Sequence, residues 1–147
     1  MIELTEELQE RIDLIKHKLK FIEQKPAVAF IANLDTLAVA DGSVAELIEI
    51  AGGASENQFN DPDTIIVMPT GYAISQTMQQ MDRLLQLQGF NGLKAAKNNR
   101  VYIADGNFDT TDADQLVTLT EVLSEIINPK QFIFGYEGEK WIKFGLV

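Results

Sequence analysis

Three short apolar runs constrain the fold more than any other feature of the sequence. They are residues 27–32, 64–68 and 100–104, and each is followed by a polar loop and a segment with helical periodicity. Runs of this length and composition are typical of strands buried on both faces of a sheet. Strands that alternate with helices predict a mostly parallel sheet with right-handed crossovers. We therefore expect an α/β fold, a three-layer Rossmann-like lobe with a short sheet.

A long amphipathic helix is predicted at the N-terminus. Its apolar side chains recur at spacings of three and four residues, at Leu4, Leu8, Ile12, Ile15, Leu19 and Ile22. Thr5 or a neighbour is suited to cap this helix, and acidic residues follow it in the first turn. Because Lys25 precedes Pro26, the helix should end there, after about twenty residues and roughly 30 Å.

Further helices are predicted after each strand. Ser43 and Glu46 have the spacing of a capping box, and Gly52 and Gly53 close that helix. The next helix aligns Ile74, Met78, Met81 and Leu85 and stops at Gly89, and the last aligns Leu116, Leu119, Leu123 and Ile126 after a capping spacing from Thr111 to Asp114. The tail, residues 131–147, is rich in aromatic residues, and its glycines indicate a hairpin.

Charge and composition exclude several classes of function. The net charge is −10, which disfavours nucleic acids and anionic membranes as partners, because both are polyanions. The absence of cysteine excludes disulfides and thiolate metal sites. No apolar run approaches the length of a membrane span, and the acidic N-terminal segment is not a signal peptide. We expect no membrane insertion, and either the protein stays in the cytoplasm or its export signal belongs to a longer precursor.

The sequence offers little catalytic chemistry. Its one histidine, His17, lies within the first helix and away from the apolar stripe, so a solvated surface position is expected. Acidic residues cluster at Asp61 and Asp63 and again from Asp105 to Asp114, but without the order of a calcium-binding loop. We interpret these carboxylates as strand-entry and helix-capping residues. The prediction is a protein that is not an enzyme and has no cofactor and no metal site.

Three loops should carry the functional residues. In open α/β sheets, ligands bind beyond the carboxyl ends of the strands. The loops in question span residues 33–43, 69–72 and 105–109. Pro69-Thr-Gly-Tyr72 lies between a strand and a helix, where backbone amides hold anions in other proteins, but it matches neither phosphate-binding glycine motif.

Several segments together resemble one protein family. They are VAFIANLD (28–35), VAELIEIAGG (44–53), DPDTIIVMPTGY (61–72), RVYIADGN (100–107), the helix at 116–129, and the tail segment FGYEGEKW (134–141). Singly they are weak, and DPDTIIVMPTGY is the most specific. Together they resemble the C-terminal lobe of class III substrate-binding proteins of ABC transporters, the cobalamin and iron-siderophore type. The resemblance covers residues 5–145 and does not extend to an N-terminal lobe.

The resemblance implies a function. In this family two lobes, joined by a long rigid helix, capture a ligand between them in the periplasm or cell envelope and deliver it to an ABC permease. By this reasoning residues 1–25 form a connector-type helix and residues 26–147 a single lobe that binds a corrinoid or a ferric siderophore. The expected ligand-binding residues are Asn33, Asp35, Thr36, Thr70, Gly71, Tyr72, Asn107 and Phe108.

The sequence also departs from the family pattern. Asn33 stands where the family has a ligand-facing tryptophan, Ser43 replaces a second aromatic residue, and the stretch between Gly53 and Asp61 is shorter than usual. An alternative hypothesis follows from these losses: a non-enzymatic interaction module that has lost small-ligand binding and forms a homodimer through its N-terminal helix. A small α/β enzyme that uses carboxylates is the least favoured reading.

Overall fold

A computed structural model describes residues 3–33, 38–39, 43–56 and 61–145. The elements follow the order α1 (Glu6–Leu19), β1 (Ala27–Asn33), β2 (Ala38–Val39), α2 (Ser43–Ile50), β3 (Ala54–Ser55), β4 (Thr64–Val67), α3 (Ile74–Met78), α4 (Asp82–Leu85), a 3-10 turn (Phe90–Gly92), α5 (Lys94–Lys97), β5 (Val101–Ala104), α6 (Ala113–Ile127) and β6 (Trp141–Lys143). Strands and helices alternate along the central part of the chain, as the sequence predicts.

The sheet is mostly parallel. Within the described residues its strand order is β2-β1-β4-β5-β6, with β3 beside β1. The three predicted strands form the parallel centre, with Ala29 opposite Ile65 and Ile65 opposite Val101. β2 and β6 pair antiparallel at the two edges. The sequence did not reveal β2 and β3, because strands of two residues carry no recognisable apolar run. In the tail, where a hairpin was predicted, β6 pairs with β5.

Alternate side chains of each central strand point to opposite layers. On β1, Val28 and Phe30 pack with α2 and α6, whereas Ala29 and Ile31 pack with α4 and α5. The same alternation continues along β4 and β5. Burying each such aliphatic side chain stabilises the fold by about 1.5–3 kcal/mol. The three-layer α/β lobe expected from the sequence is confirmed, and its core holds the carboxyl ends of the strands at one edge.

α1 is shorter than predicted. It has 14 residues, and Thr5 caps it by accepting a hydrogen bond from the Leu8 amide at 3.3 Å. The helix ends early because the Lys20 and Ile22 amides donate to carbonyls three residues back, which tightens the chain into turns. Ile12 and Ile15 are buried, and α1 packs along α6. It therefore folds back on the lobe.

The single helix predicted after β4 is instead two short helices. Between α3 and α4 the Gln80 and Met81 amides donate to carbonyls three residues back, so the helical face rotates. Met81 and Leu84 are buried, whereas Met78 and Leu85 are 47% and 37% exposed. The predicted apolar stripe was therefore wrong at Met78 and Leu85. The cap of α6 also differs, since Asp112 accepts from the Asp114 amide and is the N-cap residue.

Candidate functional site

The loops that follow β4 and β5 interlock through their backbones. The Gly71 amide donates to the Gly106 carbonyl at 2.9 Å, and the Gly106 amide donates to the Tyr72 carbonyl at 2.8 Å. A Cβ atom on residue 106 would lie 1.9 Å from the Pro69 carbonyl oxygen, so only glycine permits this approach. Gly71 has a φ of +81°, which glycine adopts without strain. The two loops form one preformed surface.

This surface, which we call the strand-end face, consists of residues 69–72 and 105–108. It contains five of the eight predicted ligand-binding residues. Thr70, Gly71 and Asn107 are exposed, whereas Tyr72 is half-buried and Phe108 packs partly against the core. The structure therefore brings two polar side chains and two aromatic rings together at the carboxyl edge of the sheet, where a ligand is expected.

Asn33 ends β1 at the same edge of the sheet. The Met68 amide at the end of β4 donates to the Ile31 carbonyl at 3.0 Å, which aligns the ends of the two strands. Asn33 is exposed, and a break in the β1–β2 register lies beside it. The predicted residues Asp35 and Thr36 lie outside the described residues.

Asp105 organises the loop after β5. Its Oδ1 accepts hydrogen bonds from the Asn107 backbone amide at 3.0 Å and from the Asn107 side-chain amide at 2.9 Å. The loop then continues to Asp109, whose Oδ1 accepts from the amide and hydroxyl of Thr111. These hydrogen bonds lower the pKa of Asp109 below its ordinary value, first through the Thr111 hydroxyl. The loop is thus shaped by local side-chain-to-backbone bonds.

Asp61 and Asp63 have structural roles. Asp63 accepts from the Ala27 amide at 2.8 Å, and Asp61 accepts from the Lys94 amide at 3.0 Å. In the described parts of the chain, no group of three or more histidine, aspartate or glutamate side chains is placed to hold a metal ion. The positions of Asp61 and Asp63 therefore have a local structural explanation.

Lys140 borders the strand-end face, and sequence reasoning missed it. The Asp105 amide donates to the Lys140 carbonyl at 2.9 Å, which holds the tail turn against the loop after β5. The Lys140 Nζ lies 5.8 Å from the centre of the Phe108 ring, within cation–π range. A positive charge therefore borders the Phe108 ring. No local sequence pattern indicates this contact, because it depends on the folding of the tail.

Two buried glutamates hold that tail in place. Glu125 is 4% exposed. Its Oε1 accepts from the Trp141 indole at 2.7 Å and from the Tyr136 amide at 3.1 Å, and its Oε2 accepts from the Gly135 amide at 3.0 Å and from the Phe134 amide. Four N–H donors thus compensate a carboxylate inside the protein.

Glu121, one turn earlier on α6, binds α1 to the same tail. Arg11 donates to its two oxygens at 2.5 and 3.2 Å, and the Tyr136 hydroxyl donates to it at 2.9 Å. Burial, followed by the hydrogen bond to Glu121, raises the pKa of Tyr136 to about 12. The bond to Glu121 likewise raises the pKa of Arg11. We call Arg11, Glu121, Glu125, Tyr136 and Trp141 the tail clasp.

A different hollow lies at the opposite edge of the sheet. It measures about 410 Å³, and Lys25, Asp63, Asn98 and Arg100 are among the residues that line it. It is open to solvent at the amino ends of the strands. Because ligands of open α/β sheets bind at the carboxyl ends, the strand-end face is the better candidate.

In the described ranges, no helix has the length and apolar character needed to cross a membrane. No protein-family model matches the sequence, and no curated protein matches it. The chain does, however, resemble solved structures.

Several solved structures share the fold. An ABC transporter substrate-binding protein from Listeria monocytogenes EGD-e matches 84% of this chain and 55% of its own, with a TM-score of 0.71 and 20% identity. IsdE of S. aureus, complexed with heme, matches 83% and 55%, with a TM-score of 0.61 and 19% identity. An ABC-type Fe³⁺-hydroxamate transport protein from Saccharomonospora viridis DSM 43017 matches 83% and 47%, with a TM-score of 0.59 and 16% identity.

The chain spans about half the length of these structures. Their identity to it is low, so the likeness concerns the fold. Together with the interlocked loops at the carboxyl edge of the sheet, it shows that this chain has the fold of a single lobe of a class III, TroA-like substrate-binding protein.

Proposed function

We propose that this chain is the ligand-binding lobe of an ABC-transporter substrate-binding protein, that its ligand is a ferric siderophore or a corrinoid, and that it is not an enzyme. The observation that carries the proposal is the interlock of residues 69–72 with residues 105–108, which presents a preformed polar and aromatic surface at the carboxyl edge of the sheet. Preformed surfaces bind more tightly, because less conformational entropy is lost on binding.

The chemistry of the surface supports an iron chelate more than a corrinoid. Two structures of the same fold are described as a heme complex and as part of an Fe³⁺-hydroxamate transport system. The ammonium group of Lys140 borders the Phe108 ring and supplies positive charge for an anionic chelate. Cobalamin has no specific support of this kind, and it enters the experiment below as a competing ligand.

Each residue of the strand-end face has a proposed role. Tyr72 and Phe108 supply apolar contact, and Thr70 and Asn107 supply hydrogen bonds. Asn33, at the neighbouring strand end, also supplies hydrogen bonds, and the same role is proposed for Asp35 and Thr36, which lie outside the described residues. Gly71 has an indirect role, because its amide is used in the interlock and its conformation shapes the turn.

Binding by a single lobe should lower the affinity for a ligand. Small-molecule sites usually bury 70–90% or more of the ligand surface. A single lobe leaves the outer side of the ligand in water, so we expect a dissociation constant on the order of 10–1,000 µM. The proposed location is the periplasm or cell envelope, and the proposed acceptor of the ligand is an ABC permease.

Calorimetric titration tests the proposal. A ferric hydroxamate, a ferric catecholate and cobalamin are each titrated into the chain. We expect heat with an iron chelate, and we expect Tyr72→Ala and Phe108→Ala each to weaken binding about tenfold by removing apolar contact. Ile133→Ala is the control, because Ile133 is 89% exposed and belongs to the loop after α6. Absence of heat with all three ligands at about 1 mM would contradict the proposal.

A second candidate function is a homodimerising interaction module. The observation that favours it is the exposure of large apolar side chains on and just after α1: Leu14 is 47% exposed and Phe21 is 84% exposed. These residues lie outside the strand-end face, so the two candidates can be tested separately.

A further inference from the structure

The hollow beside Arg100, at the amino ends of the strands, adjoins two smaller ones. It measures about 410 Å³. Arg100 also lines a hollow of about 280 Å³ that contains Lys130, and Lys25 also lines a hollow of about 320 Å³ that contains Lys16. Because the three hollows share lining residues, they lie side by side. Together they form a groove along the edge of the sheet opposite the strand-end face.

This groove is basic, although the protein is acidic. Its charged lining residues are Lys16, Lys25, Arg100 and Lys130, with Glu49 and Asp63. The formal charge of the groove is therefore +2, whereas the whole chain carries −10. Asp63 is already compensated, since it accepts from the Ala27 amide at 2.8 Å and lies 4.0 Å from the Lys94 Nζ. The Lys25–Glu49 pair, at 3.9 Å and about half exposed, is weak.

Arg100 is a partly buried cation without a counter-ion. Its Nη2 donates to the Ile127 carbonyl at 3.4 Å, at the negative end of α6, and its guanidinium lies near the Tyr102 side chain. Across the described ranges, the ion pairs involve other residues, and the Arg100 Nε is buried without a hydrogen-bond partner. Charges in such positions are usually paired. An anion in the hollow would complete the pairing.

The position of Arg100 is fixed by the backbone around it. The Arg100 amide donates to the Ala95 carbonyl at 2.7 Å, and the Asn98 amide donates to the Lys94 carbonyl at 2.9 Å. The Asn98 side chain, which also lines the hollow, adds neutral N–H donors. A guanidinium group donates to two oxygens of one oxyanion, and an ammonium group acts as a point charge. These groups suit an oxyanion with more than one negative charge.

We propose that the hollow beside Arg100 is a second ligand site, which binds phosphate or a phosphate monoester. Arg100 and Asn98 donate hydrogen bonds to the phosphate oxygens, and Lys25 and Lys130 supply charge from the two adjoining hollows. A dianion gains more than a monoanion from three cations. Because the hollow is open to solvent, we expect a dissociation constant on the order of 1 mM that rises with salt. The site is independent of the ligand proposed for the strand-end face.

Amide chemical shifts of the whole chain test the site during separate titrations with inorganic phosphate, methyl phosphate and acetate. Sodium chloride keeps the ionic strength constant. We expect both phosphates to give saturable shifts at residues 98–100 and 127–128 and at the Arg100 Nε–H, with residues 69–72 and 105–108 unchanged. Acetate, with a single charge, should bind at least about fivefold more weakly.

Substitutions separate the roles of the cations. Arg100→Gln should weaken phosphate binding about tenfold, because it removes the two-point donor, and Arg100→Lys should recover part of the loss. Lys25→Gln and Lys130→Gln should each weaken binding about threefold. Lys97→Gln is the matched control, since Lys97 is exposed on α5 and lies outside the set that lines the hollow. Circular dichroism checks folding, and the lysine variants remain informative if Arg100→Gln is unstable.

The alternative results overturn the site. Shifts that do not saturate by about 50 mM phosphate, or that appear at the strand-end face instead, would contradict it. Equal losses in Lys25→Gln and Lys97→Gln would reduce the effect to general charge, and acetate binding as tightly as phosphate would exclude the phosphate class. Tighter binding of methyl phosphate than of inorganic phosphate assigns a monoester, and the reverse assigns the free ion. Failure of iron chelates to bind the strand-end face leaves all of these results unaffected.

Discussion

The tail clasp and the strand-end face use polar groups in opposite ways. In the clasp, Glu121 and Glu125 are 6% and 4% exposed, and their carboxylates accept hydrogen bonds from seven N–H or O–H groups of Arg11 and residues 134–141. At the strand-end face, Thr70 and Asn107 are exposed, and Asn107 is held by local bonds to its neighbour Asp105. The clasp is therefore built for stability, and the face keeps polar groups available to a ligand.

The comparison predicts that the two regions respond differently to substitution. Loss of a clasp residue should lower the free energy of unfolding, because buried donors lose their acceptor. Loss of an exposed residue of the face should leave stability nearly unchanged and alter binding. The regions are also connected, since the tail turn held by the clasp brings Lys140 to Phe108.

Glu125→Ala should have the largest effect. It removes the acceptor of the Trp141 indole and of three backbone amides. Leaving these donors buried without a partner should lower the free energy of unfolding by about 3–5 kcal/mol. Urea denaturation measures this, with Glu139→Ala, at an exposed position of the tail turn, as the control. Equal stability of the two variants would mean that the clasp does not stabilise the lobe.

Gly106→Ala should come next, and it should lower both stability and ligand binding. The new methyl group would meet the Pro69 carbonyl oxygen, which belongs to the backbone and cannot move aside without disturbing the turn. We expect a loss of about 2–3 kcal/mol in unfolding free energy and of ligand binding. Gly92→Ala is a matched control, because a methyl group there meets no atom within 4 Å. A stable Gly106→Ala variant that still binds ligand would show that the interlock is unnecessary.

Arg11→Ala should have a smaller effect. It breaks the two-point contact with Glu121, but the Arg11 side chain is 29% exposed and Tyr136 still donates to Glu121. The expected loss is about 1–3 kcal/mol. Lys16→Ala, at an exposed position of the same helix, should change stability by less than about 0.5 kcal/mol. Thermal unfolding compares the two, and equal melting temperatures would contradict the role of Arg11.

The smallest expected effect is a change in the free energy of unfolding at alkaline pH. The pKa of Tyr136 is raised to about 12 in the folded protein, above its ordinary value near 10. The stabilisation is complete below pH 10 and is lost as the pH rises through 12. Tyr136→Phe should flatten the decline in unfolding free energy between these pH values, leaving the part due to Tyr102, whose pKa burial also raises. An unchanged slope in the variant would show that Tyr136 does not titrate in this way.

The sequence predicted the centre of the lobe well for a physical reason. Strands β1, β4 and β5 and helix α6 are dictated by runs and stripes of apolar residues, which are local patterns. The DGN segment at 105–107 is explained by close backbone approach at Gly106 and by the turn that Asp105 makes with Asn107. In these places local sequence and tertiary structure agree.

The clasp could not be predicted in the same way. Glu121 and Glu125 interrupt an apolar helix at a spacing of four residues, which was the available signal. The partners of Glu125 lie 9 to 16 residues away in the sequence, and Arg11 lies 110 residues from Glu121. Contacts at such sequence separations leave no periodic pattern. Lys140 was missed for the same reason. The ligand-binding residues themselves stay predictions until binding is measured.

Backbone amide chemical shifts during titration with an anionic gallium(III) catecholate, a diamagnetic substitute for the ferric chelate, test the central claim most directly. We predict saturable shifts at residues 69–72, 105–108 and 140, with the clasp amides of residues 134–136 unchanged. Shifts confined to the clasp or to the hollow beside Arg100, or no shifts at about 1 mM chelate, would contradict the claim that the strand-end face binds ligand.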